Sequence, residues 1–214
     1  ANTGTTSRSG SITIAGQTHT VTQAGINCAQ TLAAASQSVA ASGGNGSVGV
    51  TSTGASCAWT ASTSDAWLHL TNTGGTGSGA ISYSVDANTG TASRSGTITI
   101  AGQTFTVTQE GVVCAQTLSA TSQSVAASSS AGSVTVTSTG ASCAWTASSS
   151  DSWLRLTNAS GAGNGAIVYD ADANTGTASR SGTITIAGQT ITVTQAGIVC
   201  AQTLSATSQS VAAS

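Results

Sequence analysis

The side chains with the greatest chemical reach in this chain are five cysteines, four tryptophans, two histidines, six carboxylates and four arginines. Cys28, Cys114 and Cys200 form one series and Cys57 and Cys143 a second, with a step of 86 residues within each. Thiols spaced this way either ligate a metal or form disulfides. Structural zinc sites call for closely paired cysteines or accompanying histidines. No CxxC occurs, and His19 and His69 become Phe105 and Arg155 one repeat later, so no metal or other cofactor is expected. One bridge per repeat fits the count instead: Cys28 with Cys57 and Cys114 with Cys143, with Cys200 left without a partner in the chain. The rival pairing, Cys57 with Cys114, would cross from one repeat to the next. The first is preferred because it staples the start of a repeat to its CAW strand, across the repeat's own core. Closing a loop of about 30 residues contributes about 3–4 kcal/mol. Disulfides also place the chain in an oxidising compartment, outside the cell or in a periplasm.

Trp59 and Trp145 each follow a cysteine by two residues, on the same strand face, and are expected to pack on the disulfide. Trp67 and Trp153 admit two readings. If Leu68 and Leu70 point inward, alternation turns Trp67 and His69 outward, and Trp153 and Arg155 likewise; such a ring could stack on a sugar or on a neighbouring module. If the strand begins after Trp67, the ring folds over the end of the core. The run from Asp170 through Asp172 and Asn174 to Gly176 imitates the start of a calcium loop. Ser84 replaces Asp170 in the other copy, the glycine comes one place late, and no acid closes the loop, so a polar strand end and turn is expected. Arg8, Arg94 and Arg180 open a strand in SRSG and are expected to pair at the surface with Asp86 or Asp172. No repeated histidine can serve as a general base, no nucleophile elbow occurs, and the acids are too scattered for a glycosidase pair. The chain does not read as an enzyme.

The elements that position these residues follow from the repeat. ANTGTTSRSGSITIAGQTHTVTQAG at Ala1 returns with few changes at Ala87 and Ala173. A period of 86 is too long for a solenoid turn or propeller blade and fits a complete small β-sandwich. Short alternating runs separated by Gly, Ser and Asn predict strands at 31–34, 38–41, 47–51, 58–61, 68–71, 80–85, 96–100 and 104–108, and no helix. The clearest hairpin is TITIAGQTFTVTQ, in which Ile98, Ile100, Phe105 and Val107 share one face and threonines the other. Four basic and six acidic residues, net charge −2, offer no footprint for nucleic acid or an anionic membrane. No apolar run approaches the roughly 18–20 residues that span a bilayer. Lysine, which keeps strand edges apart in many soluble proteins, is absent, and that eases association between copies.

With CAQTL, GSV, CAWTAS, Trp-Leu-x-Leu, a Gly-rich loop, ANTG, SRSGTITIAG and QTFTVTQ in this order, the repeat resembles the BACON module of bacterial surface and secreted proteins. The resemblance covers essentially the whole chain. It implies an immunoglobulin-like sandwich in an extracellular setting, and either carbohydrate or mucin binding or a spacer role. The expected fold class is therefore all-β, with tandem immunoglobulin-like sandwich modules and one disulfide each. The organisation is read as 1–25, the back of a preceding module; 26–111 and 112–197, two complete modules; and 198–214, the front of a following one. On this reading the chain is a window cut from a longer repeat, with Cys200 bridged 29 residues further on; assembly of subunits by strand donation is the rival. The expected function is a structural repeat of an extracellular filament, cell-surface stalk or adhesin shaft, with neighbouring copies of the module as partners. The alternative is a carbohydrate-binding adhesin that presents glycan contacts at Trp67, His69, Trp153 and Arg155.

Overall fold

The computed structural model describes residues 1–201. The predicted front of a following module lies outside the described residues beyond position 201. The chain divides into two compact units, the first ending at Val113 and the second beginning at Cys114. In the first, the strands are β1 (Arg8–Ile14), β2 (Gln17–Gln23), β3 (Gln30–Leu32), β4 (Ser36–Val39), β5 (Gly44–Ser52), β6 (Ala58–Thr63), β7 (Leu68–Leu70), β8 (Gly74–Thr76), β9 (Gly79–Val85), β10 (Arg94–Ile100) and β11 (Gln103–Gln109). The second unit repeats the last nine as β12 (Gln116–Leu118), β13 (Ser122–Val125), β14 (Ser130–Ser138), β15 (Ala144–Ser149), β16 (Leu154–Leu156), β17 (Ser160–Ala162), β18 (Gly165–Ala171), β19 (Arg180–Ile186) and β20 (Gln189–Gln195). Among the described residues no helix is long and apolar enough to cross a membrane.

Each module is a two-sheet sandwich. In the first, a five-stranded sheet runs β4-β11-β10-β6-β8 and a four-stranded sheet β3-β5-β9-β7; in the second the orders are β13-β20-β19-β15-β17 and β12-β14-β18-β16. All pairings are antiparallel except β4 on β11 and β13 on β20, which are parallel. Alternation of β-branched and hydroxyl residues produces the layers: Val48, Val50, Ile81 and Tyr83 of one sheet face Trp59, Ile98, Ile100, Phe105 and Val107 of the other, all buried. The second core repeats this plan with Val134, Val136, Ile167, Tyr169, Trp145, Ile184, Ile186, Ile191 and Val193.

The Gly-rich segment expected to be a loop forms a strand, β8, paired with β6 through Ala58↔Thr76 and Thr60↔Gly74. Its glycines are steric: a Cβ on Gly75 would stand 2.8 Å from Cζ2 of Trp59. The hairpin turns carry both central residues at positive φ, Ala101 at 49° and Gly102 at 76°, as a two-residue turn matched to strand twist requires. The β1–β2 hairpin keeps the register of β10–β11, Arg8↔Gln23 to Ile14↔Gln17, but its apolar face is open. Ile14 is 67% exposed, whereas its counterpart Ile100 is fully buried.

Candidate functional site

The cysteines join within modules, Cys28 to Cys57 and Cys114 to Cys143, each across 29 residues and with Cα atoms 5.4 Å apart. Cys57 and Cys143 are fully buried; Cys28 and Cys114 lie exposed at the module entry. Each bridge therefore ties an otherwise peripheral entry segment to a core strand. Cys200 is exposed and unbonded.

Trp59 is buried, but its position is fixed by glycines and a hydrogen bond. The ring lies against Gly75 and Gly79, and Nε1 donates to the Gly77 carbonyl at 2.7 Å. Trp145 does the same with Gly161, Gly165 and the Gly163 carbonyl at 2.9 Å. Burying an indole requires a partner for its N–H, and the positive-φ turn at Gly77 and Gly163 supplies the carbonyl.

Trp67 precedes β7, and its ring is half-buried against the core instead of standing beside His69 on the outer face. The guanidinium of Arg94 lies 4.4 Å above the ring, and Arg180 lies 4.3 Å above Trp153. The arginines do not engage the Asp86 and Asp172 carboxylates as expected. Arg94 Nη2 donates to the Asp86 backbone carbonyl at 2.8 Å, and Nε to Gln109 Oε1 at 2.8 Å. Gln109 is fully buried, and its Nε2 donates to the carbonyls of Ala40, Ala41 and Asp86. Arg180, Gln195 and the carbonyls of Ala127, Ser128 and Asp172 repeat the arrangement. Asn88 closes the same end, donating to the Ala92 and Glu110 carbonyls and accepting from Gly90 N–H.

The carboxylates instead serve the outer face. His69 Nε2 lies 2.9 Å from Asp86 Oδ2, and Arg155 pairs with Asp172. Both are solvent-exposed pairs of at most about 1 kcal/mol. Tyr83 and Tyr169 each donate a 2.5 Å hydrogen bond to Gln37 and Gln123, and burial raises both phenol pKa values. Among the described residues no group of three or more His, Cys, Asp or Glu side chains is placed to hold a metal.

Sequence reasoning missed Gln109, Gln195 and Asn88, and gave Asn174 only as part of a polar turn. Recurrence alone did not mark them: the Gln ending VTQ and the Asn of ANTG recur unchanged in every copy, but so do exposed residues such as Ser9, Ser95 and Ser181. The stacking also makes a prediction. A double-mutant cycle with Arg180→Met and Trp153→Leu, read by urea unfolding, is expected to give a coupling of about 1 kcal/mol. Additive effects would mean that the cation contributes nothing through the ring.

This frame defines a class, the disulfide-stapled immunoglobulin-like β-sandwich in tandem. Residues 58–110 and 144–196 match the BACON family, described as "Putative binding domain, N-terminal". The chain is a tandem repeat of BACON modules, the matched segments covering β6 to β11 and β15 to β20 with the residues just beyond. Among solved structures, titin domains Z1Z2 in complex with telethonin align over 79% of this chain and 98% of theirs, at 13% identity and a TM-score of 0.45. Domains 5–6 of the S-layer protein SbsC align over 81% of this chain and all of theirs, at 14% identity and TM-score 0.29. A Bacteroides ovatus GH5 xyloglucanase aligns over 39% of this chain and 19% of its own length, at 19% identity and TM-score 0.36. No curated protein matches the chain.

Proposed function

We propose that the chain is a non-catalytic structural repeat of an extracellular filament, stalk or adhesin shaft, with modules at 26–111 and 112–197 as beads in series. The observation that carries this reading is where the reactive side chains go. Indoles, phenols, arginines and the buried glutamines are spent on contacts within their own module, and the same frame recurs in both. A disulfide in each bead suits an oxidising, extracellular setting. Neighbouring copies of the module are the natural partners of such a chain.

The second reading, carbohydrate binding, draws on the description of the family as a binding domain and on the half-buried state of Trp67 and Trp153. On this reading the ring edges and His69 or Arg155 would contact the glycan. One pair of measurements separates the two. Rod-like particles by electron microscopy, with no retention on a glycan array, are expected for the structural role. Glycan binding at millimolar affinity or tighter that disappears in Trp153→Ala would replace it with the second reading.

A further inference from the structure

The β1–β2 hairpin repeats β10–β11 residue for residue except at Ser11 and His19. It forms a two-stranded sheet by itself, and its inward side chains stand in solvent: Ile12 and Val21 are 56% and 53% exposed, whereas Ile98 and Val107 are fully buried. Its polar end is nonetheless assembled. Arg8 Nε and Nη2 donate to Gln23 Oε1 at 3.0 and 2.9 Å, Nη2 also donates to the Ala1 carbonyl at 3.1 Å, and Asn2 Nδ2 donates to the Thr6 and Ala24 carbonyls. In the complete module Arg94 and Asn88 make the corresponding bonds, to Gln109 Oε1 and to the Ala87, Ala92 and Glu110 carbonyls.

Beside Arg8 a hollow of about 320 Å³ opens among Ser9, Gly10, Val21 and Gln23. At the same place in the first complete module the Trp67 ring lies under Arg94, and a Cβ on Gly96 would stand 2.7 Å from Trp67 Cζ2 and 2.8 Å from Asp65 Cγ. In the second, Trp153 lies under Arg180, and a Cβ on Gly182 would stand 2.6 Å from Asp151 Oδ2 and 2.9 Å from Leu154 Cδ1. Glycine inside a strand weakens it and suits a place where another group comes close. At Gly96 and Gly182 that group is an Asp-x-Trp-Leu segment, whereas a Cβ on Gly10 would meet nothing within 4 Å.

We propose that the β1–β2 face is a docking surface for a front half of this same repeat, the stretch represented by residues 26–86, seated with its Asp-x-Trp-Leu segment in the hollow beside Arg8. The occupant is the one that covers the same hairpin twice in this chain. In the first complete module the front half supplies the indole and carboxylate over Gly96, the β4 strand parallel to β11, and all three carbonyls that take the Gln109 amide. Gly10 offers the same room and Gln23 the same amide. Two hairpins from two copies laid face to face would cover Ile12 and Ile14, but would bring neither an indole to Arg8 nor carbonyls to Gln23. Pre-assembly of Arg8, Gln23 and Asn2 favours docking, because less ordering is left to do. The proposal rests on the structural reading for its choice of partner and fails separately from it: rods can form with this face open, and the face can bind where no rods form.

The probe is a separate polypeptide of residues 26–86 with its Cys28–Cys57 bridge formed, added to the oxidised full chain. Native mass spectrometry is expected to show a one-to-one complex. Hydrogen exchange by NMR is expected to show new protection at the Thr20 N–H, because its counterparts Thr106 and Thr192 donate to the Ala35 and Thr121 carbonyls at 2.9 and 3.1 Å. Gly10→Val, whose Cβ meets nothing in the hairpin itself, is expected to weaken binding about tenfold or more. Thr18→Val, on the opposite side of the same sheet, is expected to bind as wild type does. Circular dichroism and thermal melts establish that both variants fold. Where the probe aggregates, residues 26–86 are joined ahead of Ala1 in one polypeptide, and Thr20 protection that is lost with Gly10→Val is the expected result. The proposal is overturned by no complex with a monomeric probe, by an unprotected Thr20 in the joined chain, or by equal binding of Gly10→Val. A dimer of the full chain that Ile14→Lys abolishes and the probe does not displace overturns it as well.

Discussion

Gln195→Leu is expected to destabilise the second module by about 2–4 kcal/mol, although leucine nearly matches glutamine in shape. The side chain is fully buried, and its amide is the acceptor for Arg180 Nε and the donor to three carbonyls. The Asp172 carbonyl retains Arg180 Nη2, and the Ala127 carbonyl retains the Asn174 N–H. Ser128 is exposed, so its carbonyl can turn to water, whereas the charged Nε of the half-buried Arg180 loses its acceptor, and that loss sets the cost. The guanidinium also loses one of its two anchors over Trp153, so the change should appear in tryptophan fluorescence before global unfolding. Urea denaturation measures the effect, and a change under about 1 kcal/mol would show that the buried amide is not a structural tie. The expected fall in melting temperature is on the order of 10–25 °C for a module of this size.

Removing a bridge should cost a comparable amount by a different route. Cys114→Ala with Cys143→Ala is expected to destabilise the second module by about 3–4 kcal/mol, from the loop of 29 residues that the bridge closes. The effect acts mainly on the unfolded chain, so the β signature by circular dichroism should persist below the new melting point. Cys114 contributes little packing, being exposed, whereas Cys143 is fully buried. Cys114→Ala alone should therefore lose nearly as much as the pair, unless the thiol freed at Cys143 finds Cys200. Non-reducing peptide mapping of the wild type is expected to recover Cys28 with Cys57 and Cys114 with Cys143. A peptide joining Cys57 to Cys114 would contradict both the bridge geometry and the module organisation.

The sequence by itself determined the 86-residue repeat, the all-β class, one bridge for each module and the inward residues of the long strands. These are legible because they are local or periodic: Ile98, Ile100, Phe105 and Val107 alternate with threonine whatever they pack against, and cysteine series repeat whatever their environment. The tertiary structure decided the rest. Whether Trp67 faced out with His69 or covered the core depended on β7 beginning at Leu68 and on Arg94 arriving from β10, 27 positions along the chain, to lie over the ring. Gln109 reads as the polar end of a strand until β4 aligns parallel to β11 and the carbonyls of Ala40 and Ala41 come within reach of its amide. The Gly-rich segment reads as a loop until the indole of Trp59 is laid across it, where glycine leaves the only room for a paired strand. In each case the deciding partner is remote in sequence. Alternation specifies which side of a strand a residue takes, whereas the hydrogen-bond and steric demands of a buried polar or aromatic group are met only when the sheets have closed.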